Sequence, residues 1–161
     1  MRSRLYLKAT IPSYLTSRPS RDLVIAGHQR LTRDWWENRR HAFELYTSQL
    51  VIDEVGAGDP AAARQRLRVL KDLSLLDITP EVAELASSLL ASGIVPRKAA
   101  IAAVHGMDFL VTWNCVHIAK ATNAKGIASI CHEHACECPV ICTPEELIDG
   151  GIGHAEGSDC Q

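Results

Sequence analysis

Two adjacent carboxylates, Asp53 and Glu54, stand in the apolar run over residues 49–55. Hydroxyl and amide side chains follow apolar runs elsewhere in the chain, at Thr10, Thr112 and Asn114. Oxygen atoms of these types are the ligands that Mg²⁺ and Mn²⁺ take in proteins. If the apolar runs are parallel strands, their carboxyl ends meet at the edge where open α/β sheets bind ligands. The pattern therefore predicts a divalent-metal site at that edge.

Each of these side chains also has an ordinary structural interpretation. Asp53 and Glu54 could form the solvated end of a strand, and Thr112 and Asn114 could hydrogen-bond the backbone of a turn. Trp113, which lies between them, is more typical of packing than of RNA stacking. Both interpretations stay open at this point.

Basic and sulfur-bearing residues offer further candidates. The helix predicted over 60–71 carries four cations that could follow a phosphate backbone or simply be solvated: Arg64, Arg66, Arg68 and Lys71. His117 could face the site or belong to an ordinary helix surface. Segment 131–142 holds four cysteines and two histidines, a donor set that could bind Zn²⁺. Its spacing fits none of the usual paired C-x₂-C arrangements, so a zinc site is the lesser alternative.

The elements that position these residues follow from apolar periodicity and turn residues. We predict strands at 5–7, within 49–55, at 73–78, at 108–112 and at 140–141. The first strand should be central, and residues 10–12 should form a loop and turn after it. We predict two helices within 20–47, the second opening at Asp34, and further helices over 60–71, from 80 to about Gly93, over 97–105, over 115–124 and 126–134, and from 144 onward. Strands that alternate with helices predict an α/β fold with a parallel sheet covered by helices on both faces.

Length and composition limit the class of protein. A chain of 161 residues with 47% hydrophobic content suits one domain with a sizeable core. Its formal net charge of −2 provides no overall basic field, so any contact with RNA must come from local cations. The N-terminal residues do not read as a signal peptide, and no segment approaches the length of a membrane span. We therefore expect a cytoplasmic chain with no membrane contact and with reduced cysteines.

Four segments together resemble the PIN-domain family, and in particular its VapC-type toxin branch. They are 5–15 (LYLKATIPSYL), 48–61, 106–121 with the motif TWN-x-x-HIA, and 139–147 with PVI-x-TPEEL. The resemblance covers about 1–149; residues 150–161 have no apolar pattern, and we expect them to form a disordered tail. It implies a three-layer α/β/α sandwich with a central parallel sheet, a Mg²⁺ or Mn²⁺ site of clustered acids, and endoribonuclease activity. RNA, an antitoxin protein and a second copy in a homodimer are the partners that it implies.

By this resemblance Glu54 and Asp53 would hold the metal, and Glu54, Asn114, Thr10 and Thr112 would form the catalytic site. The sequence departs from the family at two of the acids. Lys8 replaces the acid of the first strand, and about seven residues that would carry the third acid are missing before Ile101, close to two helical turns. Lys8 could instead pair with Glu54. We therefore expect a degenerate site in an impaired or inactive metal-dependent endoribonuclease. The alternative is a non-catalytic PIN-fold module that binds RNA, an antitoxin or another PIN subunit.

Overall fold

The computed structural model describes residues 2–92, 97–114 and 121–148. Within these residues the strands are β1 (Ser3–Leu7), β2 (Phe43–Ser48), β3 (Ser74–Leu76), β4 (Phe109–Val111) and β5 (Val140–Cys142). The helices are α1 (Thr10–Thr16), α2 (Leu23–Asn38), α3 (Gln49–Val55), α4 (Pro60–Leu70), α5 (Pro80–Ala91), α6 (Arg97–Val104), α7 (Ala121–Glu133) and α8 (Pro144–Ile148). A short 3₁₀ turn, Arg40–Ala42, precedes β2.

The five strands form one parallel sheet in the order β3-β2-β1-β4-β5. The prediction that the first strand is central is confirmed. After β1 the chain builds the sheet outward through β2 and β3, and then crosses to the other side of β1 to build β4 and β5. The direction of growth therefore reverses between β1 and β4, which makes their carboxyl ends the switch point where α/β sheets open a crevice.

Alternation along β1 explains the three layers. Leu5 and Leu7 face one core, where Ile11 of α1 and Trp35 of α2 cover them. Tyr6 faces the other core, whose covering residues come from α3, α4, α5, α6 and α7. The side chains of Leu5, Tyr6 and Leu7 are fully buried, as expected of a central strand in a parallel sheet. The predicted α/β fold, a three-layer sandwich around a parallel sheet, is confirmed.

Capping signals in the sequence locate several helix ends correctly. The Asp59 carboxylate accepts a hydrogen bond from the Ala62 N–H at 2.9 Å, where Pro60 opens α4. The Thr143 N–H donates to the Glu146 carboxylate at 2.8 Å, so the predicted capping box of α8 is present. Gly106 follows α6 with φ +67°, the left-handed conformation that glycine adopts without strain.

Near the site, the structure corrects two predicted elements and adds one strand that was not predicted. Residues 49–55 form helix α3, not a strand, because Val51 and Val55 are buried at a helical spacing of one turn. The second strand lies just before it, at Phe43–Ser48, where four of six side chains are only partly buried, so its sequence lacks a continuous apolar run. Residues 10–12 begin helix α1 and do not form a loop.

Two helix predictions also require correction. One helix, α2, spans the region where two were expected; it is capped by Asp22 and runs through Asp34. Helix α7 continues through residue 125, where a break was predicted. The predicted helical residues 115–120, the predicted end of α5 at Gly93 and the tail 150–161 lie outside the described residues. No helix in the described part of the chain is long and apolar enough to cross a membrane.

Helix α5 offers a matched test of the core. Leu85 has no exposed surface, whereas Leu90 on the same helix is 65% exposed. We expect Leu85→Ala to lower the free energy of unfolding by about 2–5 kcal/mol, because it removes buried surface and leaves a cavity. Leu90→Ala should change it by less than about 0.5 kcal/mol. Urea denaturation monitored by circular dichroism measures both, and equal losses for the two variants would contradict this assignment of faces.

Candidate functional site

A cavity of about 820 Å³ opens beside the carboxyl ends of β1 and β2. Lys8, directly after β1, and Glu54 of α3 form part of its charged wall, together with Arg97 and Lys98 at the start of α6. The facing wall is largely apolar and comes mainly from α5, with Val82, Ala83, Ala86, Ser87 and Leu90. The cavity therefore combines a charged side and a largely apolar side at the edge of the sheet where parallel α/β folds bind ligands.

The charged wall is dominated by cations. Lys98 Nζ and Glu54 Oε2 form an ion pair, with the Lys98 side chain 23% exposed and that of Glu54 51% exposed. The sequence offered Lys8 as a possible partner of Glu54; the structure shows an ion pair between Glu54 and Lys98, and Lys8 lines the same cavity. Of the described charged residues that line the cavity, three are cations, Lys8, Arg97 and Lys98, and one is a carboxylate, Glu54.

This donor set does not fit Mg²⁺ or Mn²⁺. Among the described residues that line the cavity, Glu54 is the one carboxylate, and an ammonium already occupies it. Asp53 points elsewhere, since its carboxylate accepts a hydrogen bond from Gln49 Nε2 at 2.8 Å on the exposed surface of α3. Within residues 2–92, 97–114 and 121–148, no three His, Cys, Asp or Glu side chains come together as a possible metal site. Hard divalent cations require several oxygen ligands and are repelled by adjacent cations.

Three of the predicted site residues meet at the switch point between β1 and β4. Thr10 Oγ1 and Thr112 Oγ1 lie 3.4 Å apart. Thr10 Oγ1 accepts a hydrogen bond from the Trp113 N–H at 3.0 Å, and Thr112 Oγ1 accepts one from the Asn114 N–H at 3.1 Å. The two hydroxyls thus satisfy the backbone where β4 ends, as Thr commonly does at turns. These contacts support the structural interpretation of Thr10 and Thr112, and their catalytic role stays a prediction.

The Trp113 ring is held against α2. Its plane stacks on the His28 ring with centroids 4.0 Å apart and an angle of 12°. Its Nε1–H donates to Thr32 Oγ1 at 2.8 Å, so the polar edge of the indole is also satisfied. Trp113 belongs to the core on that face of the sheet. These contacts favour the packing interpretation over RNA stacking.

The basic residues of α4 do not act as one group. Arg66 donates to the Val55 and Ala57 carbonyls at 2.8 and 2.9 Å and thereby closes the C-terminal end of α3. Arg64, Arg68 and Lys71 are exposed. A structural role therefore accounts for one of the four cations, and the rest are typical of a solvated helix surface. His117 lies outside the described residues.

A buried phenol lies beneath the charged wall. Tyr6 Oη shares a hydrogen bond of 2.6 Å with Ser48 Oγ, and both residues are fully buried. Burial raises the pKa of Tyr6 to about 12; the Ser48 hydrogen bond opposes this rise, and the negative charge of Glu54 adds to it. Because the charge of Glu54 acts on Tyr6, the phenol on the central strand β1 lies close to the charged wall of the cavity.

Sequence reasoning missed Arg97 and Lys98 as site residues. Both are in the first turn of α6, where the positive end of the helix dipole disfavours cations. Two cations in the first turn of a helix were the available signal, because they indicate that a negatively charged partner lies nearby in the fold. That partner, Glu54, is 44 residues earlier in the chain, and only the folded sheet brings it to Lys98.

Comparison of the chain with protein-family models, with curated proteins and with solved structures finds no match.

The switch-point hydroxyls generate one stability prediction. Thr10→Val keeps the shape of the side chain but leaves the Trp113 N–H without its acceptor, so we expect a loss of about 1–3 kcal/mol of unfolding free energy. Thr10→Ser retains the hydroxyl and should lose less than half of that. Chemical denaturation of both variants measures the difference. A loss for Thr10→Ser as large as that for Thr10→Val would contradict this, because it would show that the methyl group contributes as much as the hydroxyl.

Tyr6 generates a pH prediction. Its pKa is about 12 in the folded state and 10.0 ordinarily, so the neutral phenol stabilises the fold below pH 10 and this contribution is lost as pH rises toward 12. At about pH 11 the expected loss is on the order of 1.4 kcal/mol. Tyr6→Phe cannot ionise and should lack this component. Unfolding free energies of both proteins at about pH 9 and about pH 11 give the comparison, and a parallel decline in the two would contradict it.

Proposed function

We propose that this chain is a PIN-like, VapC-type domain that has lost metal-dependent RNA cleavage and binds RNA through phosphate groups. The observation that carries the proposal is the charge of the cavity wall. Lys98 neutralises the carboxylate of Glu54, and Lys8 and Arg97 line the same cavity. A site that would need clustered acids for catalysis in the family's manner thus presents cations.

Electrostatics favours an anion over a metal ion in this cavity. At about 4 Å and an effective dielectric constant near 20, one pair of unit charges interacts by on the order of 4 kcal/mol. At comparable distances, Lys8 and Arg97 therefore attract a singly charged phosphodiester and repel a divalent cation about twice as strongly. The positive N-terminal end of α6 adds to this attraction.

The second wall supports an organic ligand over a free inorganic ion. Val82, Ala86 and Leu90 present apolar surface across from the cations. Single-stranded RNA has phosphates that can contact Lys and Arg and unstacked bases that can pack against apolar side chains. A volume of about 820 Å³ is in the range of pockets that hold small organic molecules, so it has room for a nucleotide.

The formal net charge of −2 limits the affinity to what local cations supply. Binding should therefore weaken steeply with salt, because each phosphate contact releases counterions from the nucleic acid. It should not require a divalent cation.

Fluorescence anisotropy of a labelled single-stranded RNA, with EDTA present, tests this proposal. We expect Lys8→Ala and Arg97→Ala each to weaken binding to RNA of any sequence. Each variant should also reduce the steepness with which the logarithm of the RNA association constant falls with the logarithm of salt concentration, by about 0.7 per lost phosphate contact. Arg64→Ala is the matched control, because it removes an exposed cation from α4 and should leave binding unchanged.

Two results would overturn the proposal. One is RNA affinity that the cavity variants leave unaltered while the Arg64→Ala control reduces it. The other is RNA cleavage by the unmodified chain that Mg²⁺ or Mn²⁺ supports and EDTA abolishes, since that activity would mean that a working metal site forms. If Lys8→Asp together with Lys98→Ala creates such cleavage, the chain is a decayed nuclease that the two lysines silence, and the segment missing before Ile101 is not required for cleavage.

A further inference from the structure

Three cysteines lie within eight residues where α7 ends and the chain approaches β5. Cys131 is in the last turn of α7, and Cys136 and Cys138 are in the loop that follows. Ala135 has φ +56°, a left-handed conformation that reverses the chain. The Cys136 N–H donates to the Cys131 carbonyl at 2.9 Å, which closes this turn. The reversal brings both loop cysteines back against the helix end.

The thiols of Cys131 and Cys138 are in direct contact through a hydrogen bond. Cys131 is buried in the core beneath α5, and Cys138 is only partly buried at the edge of that core. When protonated, the Cys138 thiol also donates to the Pro139 carbonyl oxygen at 3.5 Å. The hydrogen bond with Cys131 lowers the pKa of Cys138 to about 7 although burial opposes it, and it raises the pKa of Cys131. Cys138 is therefore the more readily ionised of the two thiols.

The other donors of the cluster do not complete a zinc site within the described residues. His134 Nε2 shares a hydrogen bond of 2.9 Å with Ser88 Oγ of α5. The Cys136 thiol is directed to the His134 carbonyl at 3.4 Å. Cys142 belongs to the core on the opposite face of the sheet. The arrangement is one of paired thiols and lacks the four converging ligands that structural zinc requires.

We propose that Cys131 and Cys138 are a redox-active dithiol that hydrogen peroxide oxidises to a reversible disulfide. The partly buried Cys138 thiolate attacks one peroxide oxygen, so an S–O bond forms, the O–O bond breaks and hydroxide leaves. The sulfur of Cys131 then attacks the Cys138 sulfenic acid, forming the S–S bond and breaking the S–O bond. The departing hydroxide takes the Cys131 proton. In total, two thiols and one peroxide give one disulfide and two waters. A dithiol reductant reverses the change.

Peptide mapping of the full chain tests the proposal. The protein is treated with hydrogen peroxide near pH 7.5, free thiols are alkylated in denaturant, and the chain is cut with trypsin and a glutamate-specific protease. Cleavage after Lys125, Glu133 and Glu137 puts the three cysteines on different peptides. We expect peptide 126–133 to become linked to peptide 138–145 and to be released by dithiothreitol. Fragmentation of the linked species should place the bond at Cys138, not at Cys142.

Two variants provide the controls. Cys136→Ser should keep the link, whereas Cys138→Ser should lose it while circular dichroism and the thermal midpoint report an intact fold. The assignment in the unmodified chain does not depend on either variant. The proposal is overturned if peroxide leaves peptide 126–133 unlinked, or if the link is made by Cys136, Cys142 or another cysteine.

Discussion

Burial of β1 on both faces is the constraint on which the rest of the molecule depends. A central strand with no exposed face must have a helical layer on each side, and alternation sends Leu5 and Leu7 into one core and Tyr6 into the other. Its carboxyl end then lies at the point where the sheet changes direction of growth. The residues that follow β1 in sequence, here Lys8 and Thr10, therefore lie at the crevice where the sheet changes direction of growth.

The two ends that meet at this crevice differ in character. Next to β4, the hydroxyls of Thr10 and Thr112 are committed to backbone N–H groups, and Trp113 is stacked on α2. Next to β2, the charges of Glu54 and Lys98 neutralise each other while further cations line the cavity. One half of the crevice is therefore closed by backbone hydrogen bonds and packing, and the other half contains the cavity with its cationic wall.

Local signals explain which predictions from the sequence succeeded. Asp59-Pro60 and Thr143-Pro144 mark helix starts through contacts within four residues, so no tertiary information is needed to locate them. The element over 49–55 was misassigned because a short apolar run suits a strand or a buried helix equally. The helical spacing of its buried residues, Val51 and Val55, is visible only in the folded structure, where the core packs against them. Strand β2 was missed for the converse reason, since its partly buried residues show no apolar run.

The sequence alone determined the α/β class, the central first strand and the position of a lysine, Lys8, directly after that strand, because these follow from periodicity and residue order. Only the tertiary structure decided which residues share the cavity with that lysine. Lys98 and Glu54 are 44 positions apart, and Cys138 contacts Cys131 through a chain reversal at a left-handed alanine that no local pattern announces. The sequence does not show which charges or thiols will interact, because these interactions depend on distance in space and not on separation along the chain.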